Sequence, residues 1–449
     1  MKRGTGAAGA ALLLGWAAAR SWMFLPARHG FGSEARYGDM GEYLRVSRES
    51  VLSPSFYTDG KPFGYPLVLK LLGRHQELVL GTQFALSLLA WAALAIVAAR
   101  CAGRRLQPLA FVAVLAFSLS WQVTQWDTLL GAESFSLSLF ALLVAVLLLS
   151  LERLTFARGA GAAVVALAFT SLRDTNAVLA AFLLAGLGLF WFVRRRSLRP
   201  LALVAVGVAC VALVASTTGQ KRWQILVADQ IGKRVEATPQ QLAYFEAHGM
   251  PNQPGLSHLI YADTRRPLPN QVFLHDPRLK RFMRWFVPHA RSTYYGFLLT
   301  HPGTAIVQPV KLFPRMLGSG GLTTYRNVRF RPLPEPFDSL VYPSSGNAVM
   351  RWELCLLGLL AIGTLVRAAR ARWLAPFLLV VLTLPLAIVV WDGEASEVAR
   401  HSLLTQVSAR LGVLLGCLLV LPELVPLGIR ALSARVPRHV DRPVEAGQR

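Results

Sequence analysis

The chain has 449 residues, 54% of them hydrophobic and only 16% charged, with a mean hydropathy of +0.44. Soluble globular chains carry roughly 45–50% apolar and about 25% charged residues. A disordered chain, a collagen-like fibre and a disulfide scaffold are therefore excluded, and a soluble multidomain enzyme is a poor match. The net charge is +23, from 47 Lys and Arg against 24 Asp and Glu. Its meaning depends on position, because membrane proteins gather Lys and Arg on the cytoplasmic side.

A bilayer-spanning helix needs about 20 mostly apolar residues. Ten apolar runs bounded by charge meet or approach that length: 7–26, 77–99, 108–125, 131–151, 159–172, 176–193, 200–216, 351–367, 373–391 and 402–428. The expected fold is an all-α polytopic membrane protein with about ten transmembrane helices. The first run follows Lys2 and Arg3 but lacks a clean cleavage site before Arg28, so it reads as a retained span. With the N-terminus inside, the segments 1–6, 100–107, 152–158, 194–199, 367–372 and 430–449 face the cytoplasm. They hold nineteen Lys and Arg against three acids, Glu152, Asp441 and Glu445. The short loops 122–133, 171–175 and 392–401 reverse this, with six acids (Asp127, Glu133, Asp174, Asp392, Glu394, Glu397) against Arg173 and Arg400. Both termini are thus predicted cytoplasmic.

This map divides the chain into four parts. Residues 1–216 form a transmembrane core with a large first outer loop, 27–76. Residues 217–350 form an extracytoplasmic region, 351–432 the C-terminal transmembrane helices, and 433–449 a basic cytoplasmic tail. Long translocated segments are exempt from the charge rule, so the 16 Lys and Arg of 217–350 fit the map. Its stretch from Tyr294 to Leu317 mixes aromatics with His301, Pro302, Lys311, Pro314 and Arg315, which suits a helix pair lying in the interface. No aromatic-basic strip resembles a nucleic-acid module, so no such partner is expected. The four cysteines Cys101, Cys210, Cys355 and Cys417 form no CxxC, which predicts neither a zinc site nor a disulfide framework.

Four polar clusters fall at the outer ends of the predicted spans. The first loop carries Asp39, Glu42 and Tyr43 just beyond span one, with Tyr43 one helical turn after Asp39. Asp127 and Glu133 precede span four, where Glu133 sits at the membrane boundary. A carboxylate there tends to face protein or a wet cavity rather than lipid. Arg173 lies between spans five and six. Glu397, Arg400 and His401 precede span ten and share one helix face by their spacing. Arginine presents a forked donor set suited to phosphate oxygens. Taken singly, Asp39 reads equally as a helix cap, Glu133 as a helix-start charge, and the rest as local ion pairs. Arg410 lies deep in the last run, where a charge usually faces the bundle interior. Arg20 is close enough to the outer end of span one to snorkel.

Together these residues resemble the GT-C superfamily of integral-membrane glycosyltransferases, which use polyprenyl-phosphate-linked sugars and include protein O-mannosyltransferases and lipid A aminoarabinose transferases. The resemblance rests on Asp39-x-x-Glu42-Tyr43, on Pro62-Phe-Gly-Tyr-Pro66-Leu, on Glu133-Ser-Phe-Ser-Leu, and on Glu397-x-x-Arg400-His401 before a terminal span. It covers mainly residues 1–200 and 390–430. It implies an inverting transferase with Asp39 as catalytic base and Glu133 as a supporting acid. Arg400, with Arg173 and His401, would bind the donor phosphate, and Glu42, Tyr43, Asp127, Glu397 and Arg410 would support them. The implied partners are a polyprenyl-phosphate sugar, a glycan, lipid or protein acceptor, and membrane lipid. The chain departs from the pattern in having a lone Asp39 rather than an adjacent acidic pair. Its extra material also lies between spans seven and eight rather than in a C-terminal domain. A divalent cation is possible but not required, and no metal ligand is nominated. An O-antigen-type polymerase or ligase, and a transporter or flippase of lipid-linked saccharides, remain as alternatives. Arg outnumbers Lys 40 to 7, a bias of GC-rich bacterial genomes, which points to the plasma membrane.

Overall fold

The computed structural model describes residues 3–28, 39–58, 61–218, 222–261, 276–327, 329–365, 370–393, 395 and 397–424. The predicted tail 433–449 and Glu394 lie outside them. Every described element is a helix, as expected for a chain whose backbone must satisfy its own hydrogen bonds in hydrocarbon.

The first long helix, α1 (Arg3–Arg28), is followed by three short ones: α2 (Met40–Arg48), α3 (Pro54–Thr58) and α4 (Gly64–Leu71). Then come α5 (Gln76–Cys101), α6 (Gln107–Ser118), α7 (Trp121–Thr124), α8 (Ala132–Glu152), α9 (Phe156–Thr170), α10 (Asp174–Arg195) and α11 (Leu201–Thr218). A second, smaller set comprises α12 (Arg222–Gln230), α13 (Pro239–Ala247), α14 (Leu256–Tyr261), α15 (Lys280–Trp285), α16 (Arg291–Thr300) and α17 (Gln308–Leu317). The chain closes with α18 (Glu335–Val341), α19 (Gly346–Leu365), α20 (Leu374–Val381), α21 (Thr383–Gly393), α22 (Val398–His401) and α23 (Leu403–Leu419).

Among the described residues, seven helical segments are long and apolar enough to cross a membrane: Ala7–Pro26, Gln76–Cys101, Ala132–Glu152, Asp174–Arg195, Glu335–Leu365, Ala371–Gly393 and Leu403–Leu424. The chain is a helical polytopic membrane protein. Three of the ten predicted runs are not among them. α9 and α11 are apolar but shorter than the seven. Run 108–125 is broken, with α6 and the helix after Ser120 bent by 58°. Predicted run 351–367 starts much earlier, at Glu335, because the polar Pro343–Ser345 turn interrupts its hydropathy. Among the described residues, no helix between 222 and 317 is long and apolar enough to span. There α16 leads through the turn 303–307 into α17. α17 turns Pro309, Phe313, Met316 and Leu317 inward, where Phe313, Met316 and Leu317 join Val349, Val390 and Ala409.

The main core packs α5 against α6 and α8, α8 against α9, and α10 against α11, while α20 joins α23. Trp91, Phe117, Phe140 and Phe169 are buried at its centre. The smaller set has its own aromatic core of Phe245, Phe282, Phe286 and Phe297. It is tied to the end of α21 because Gln230 donates to the Trp391 and Asp392 carbonyls, and Arg234 stacks 3.6 Å over the Trp391 ring.

The bend at 118–121 frees backbone groups that hydrocarbon would leave unpaired, and two ionic side chains take them up. Arg20 donates to the Ser118 carbonyl at 2.6 Å, and the Trp121 amide donates to Asp338 at 3.0 Å. Arg20 therefore does not snorkel. Its side chain is 1% exposed and reaches Asp127 at 2.5 Å and Ser87 at 2.6 Å. It turns inward because the broken helix and Asp127 offer partners that lipid headgroups would have to match.

Removing one member of a buried ion pair strands the other. Arg20→Ala is expected to cost about 3–5 kcal/mol of stability, read as a lowered thermal midpoint in detergent. The double variant Arg20→Ala/Asp127→Asn is expected to melt higher than Arg20→Ala alone. Equal melting of wild type and Arg20→Ala would refute the role given to the pair.

Candidate functional site

One end of the bundle gathers side chains from five places in the chain. α8 enters directly from the extended Gly131, which puts Glu133 in its first turn. Asp39 stands at the N-terminal boundary of α2 but makes no side-chain cap bond. Its carboxylate is directed to other partners. Arg173 precedes α10 in an extended conformation, and α22 is a single turn carrying Arg400 and His401.

Arg400 is the hub. Its Nε donates to Glu133 Oε1 at 2.6 Å, its Nη1 to Glu397 Oε2 at 2.9 Å, and its Nη2 to Asp39 Oδ2 at 3.4 Å. Arg173 Nη1 meets the same Glu133 oxygen at 3.2 Å, and its Nη2 lies 3.3 Å from His401 Nδ1. Lys61 Nζ donates to Asp39 Oδ1 at 2.7 Å and lies 3.5 Å from Glu42 Oε2. Among the described residues four carboxylates thus face three fixed cations and one histidine. Burial acts to lower the Arg400 pKa, but Glu133, Asp39 and Glu397 outweigh it and raise it well above the usual value. Burial, with Asp39 and Glu133 nearby, also pushes the Tyr43 phenol far up, so it stays a neutral donor.

Exposure separates the carboxylates by role. The side chains of Arg400 and Glu133 are each 4% exposed, whereas Asp39 is 31% exposed. Glu133 is committed to two guanidinium groups. Asp39 is fixed by Lys61 and Arg400 yet remains open to an incoming molecule. Asp39 is therefore the carboxylate of the cluster most open to solvent, and Glu133 the one held between two arginines. No group of three or more His, Cys, Asp or Glu among the described residues is arranged to hold a metal ion.

Of the residues picked out in the sequence, Asp39, Glu42, Tyr43, Glu133, Arg173, Glu397, Arg400 and His401 come together. Asp127 does not join them; it pairs with Arg20 and accepts from Ser134 at 2.6 Å, one residue from Glu133. Arg410 is also elsewhere, donating to the carbonyls of Pro343, Leu317 and Gln406. Lys61 and Tyr65 were not foreseen. Lys61 could have been noticed as one of only seven lysines in an arginine-rich chain. Tyr65 packs edge-on to Tyr43 at 5.0 Å, and its hydroxyl donates to Gln83 at 3.2 Å.

A close approach of backbones joins the first loop to the turn that carries Arg173. The Gly64 amide donates to the Ser171 carbonyl at 2.8 Å. A Cβ at Gly64 would lie 2.3 Å from Ser171 Oγ and 2.6 Å from its carbonyl oxygen. Only glycine fits there. Gly64→Ala is expected to cost about 1–3 kcal/mol through overpacking, seen as a lower melting midpoint. Adding Ser171→Ala should restore only part of it, because the carbonyl remains. An unchanged melt for Gly64→Ala would mean that this contact does not hold the loop.

No protein-family model matches the chain, and no curated protein matches it either.

Proposed function

We propose that this protein is a GT-C-like membrane glycosyltransferase that moves a sugar from a polyprenyl-phosphate donor to a cell-envelope acceptor. In this reading the bent pair and the two shorter apolar helices complete ten passes through the plasma membrane, with both termini cytoplasmic. The site then lies on the outer face. Charge supports that orientation. α8 carries Glu133 in its first turn and ends at Glu152, about 29 Å further on at 1.5 Å per residue. At its far end Glu152 accepts from Cys101, and Arg372 donates to the Cys101 carbonyl and pairs with Glu423. The arginine-bearing segments 100–105, 153–158 and 370–372 belong to that far end, as the positive-inside rule requires of the cytoplasmic side.

The observation that carries the reading is the convergence of Asp39, Glu133, Arg173, Arg400 and His401 from segments up to 361 residues apart. Asp39 takes the proton from an acceptor hydroxyl as that oxygen attacks the anomeric carbon. The bond from that carbon to the phosphate oxygen breaks, and the phosphate leaves with the electron pair. Arg173 and His401, with Arg400 behind them, meet the charge that develops on it. Glu133 orders both arginines beforehand, and Lys61 fixes Asp39. The acceptor is a glycan, lipid or protein.

Asp39→Asn is expected to lower transfer from a polyprenyl-monophosphate sugar by about 10²–10⁴-fold, with protein abundance in membranes near wild type. Undiminished transfer by that variant would reject the base assignment. A strict need for a diphosphate-linked oligosaccharide would favour a polymerase or ligase instead.

A further inference from the structure

Arg410 plays no part in the cluster around Arg400, yet it lines an apolar groove and bonds to backbone that leads, at Leu317–Gly318, into the lining of a second cavity. Its Nη2 donates to the Leu317 carbonyl at 2.9 Å and to the Pro343 carbonyl at 2.6 Å. On one side of this backbone crossing lies a cavity of about 510 Å³ lined by Lys311, Arg315, Gly318, Gly320, Gly346 and Asn347. On the other lies an apolar groove of about 360 Å³, with Trp352, Cys355, Leu359, Val413, Cys417 and Leu421 along it and Arg410 in its wall. The two are adjacent in the chain at both strands of the crossing: Leu317 precedes Gly318, and Pro343 precedes Gly346 by three residues.

The first cavity is built for an anion. Lys311 and Arg315 are one turn apart on the exposed face of α17, opposite its buried residues. Neither pairs with a carboxylate among the described residues. Gly346 packs tightly on α17, where a Cβ would lie 1.7 Å from the Pro314 carbonyl oxygen, while Gly320 has open space around it. The second cavity suits a hydrocarbon chain. It runs between α19 and α23, both in membrane-spanning segments, and its wall is apolar apart from Arg410.

We propose that these two cavities together hold one phosphate-headed membrane lipid, its phosphoryl group on Lys311 and Arg315 and its chain in the α19–α23 groove. Charge complementarity selects the head, and the position of the groove on spanning helices selects a lipid over a soluble phosphate. The cavity touches the chemistry through Gly321, also in its lining, whose Cβ position lies 2.6 Å from Ala399 Cβ, beside Arg400. The proposal does not rest on glycosyl transfer, because lipid retention is measured without any reaction.

The test is native mass spectrometry of the full chain released from nanodiscs of mixed phosphatidylglycerol and phosphatidylcholine. Wild type is expected to retain phosphatidylglycerol preferentially. Lys311→Ala/Arg315→Ala should weaken that preference about 25-fold, taking about 5-fold for each cation at a membrane surface. Cys417→Trp, which fills the groove, should reduce retention of the lipid while leaving the circular-dichroism melt unchanged. Lys311→Arg/Arg315→Lys should keep the preference. Equal retention of both lipids by wild type, or wild-type retention by the double alanine variant, would overturn the proposal. So would binding of inorganic phosphate in place of lipid, insensitive to Cys417→Trp.

Discussion

Burial of one guanidinium organises this molecule. Arg400 is nearly sealed from solvent, and an uncompensated charge there would cost several kcal/mol. It is tolerated because Glu133, Glu397 and Asp39 each offer it an oxygen. Those acids come from the entry of α8, the loop before α22 and the boundary of α2, so satisfying Arg400 fixes the relative placement of three distant segments. Glu133 extends the order further, since the oxygen that accepts from Arg400 also accepts from Arg173. The remaining asymmetry leaves Asp39 as the carboxylate with the greatest exposure to solvent in the cluster.

A second polar network supports the first from within the bundle. The bend after α6 would leave backbone groups unpaired in an apolar setting, and Arg20 and Asp338 accept that task. Arg20 also holds Asp127, which accepts from Ser134 next to Glu133. The break in the helix, the buried pair and the entry of α8 are thus one connected arrangement. Above it, the smaller aromatic core grips the end of α21 through Gln230, Arg234 and Tyr294, and from that end the chain leads to α22.

The membrane class and most helices were legible because hydropathy is a sum over about 20 residues and tolerates local error. The bend at 118–121 was not, because Ser118-Leu-Ser120 is apolar enough to hide inside a continuous run, and its cause lies in Arg20 and Asp338, far away in sequence. The candidate site was legible in part because acids and basic residues recur at predicted span ends, and eight of those residues do meet. Arg20 was misjudged for a physical reason: depth alone suggests a route to the headgroups, and only the fold reveals a carboxylate close by. Lys61 carried no local signal beyond its rarity, since its partners are fixed by how the first loop folds back. Arg410 was read correctly as interior, but its partners are carbonyls rather than the acids of the cluster.

The long separation between Arg400 and its partners has a consequence for biogenesis. Asp39, Lys61, Glu133 and Arg173 leave the ribosome more than 200 residues ahead of Glu397 and Arg400. Until the last hairpin enters the bilayer, Glu133 has Arg173 but lacks its strongest partner. The nascent bundle therefore threads its way through insertion with an unfinished ionic lock, and the arrival of α22 and α23 acts as the key that completes it.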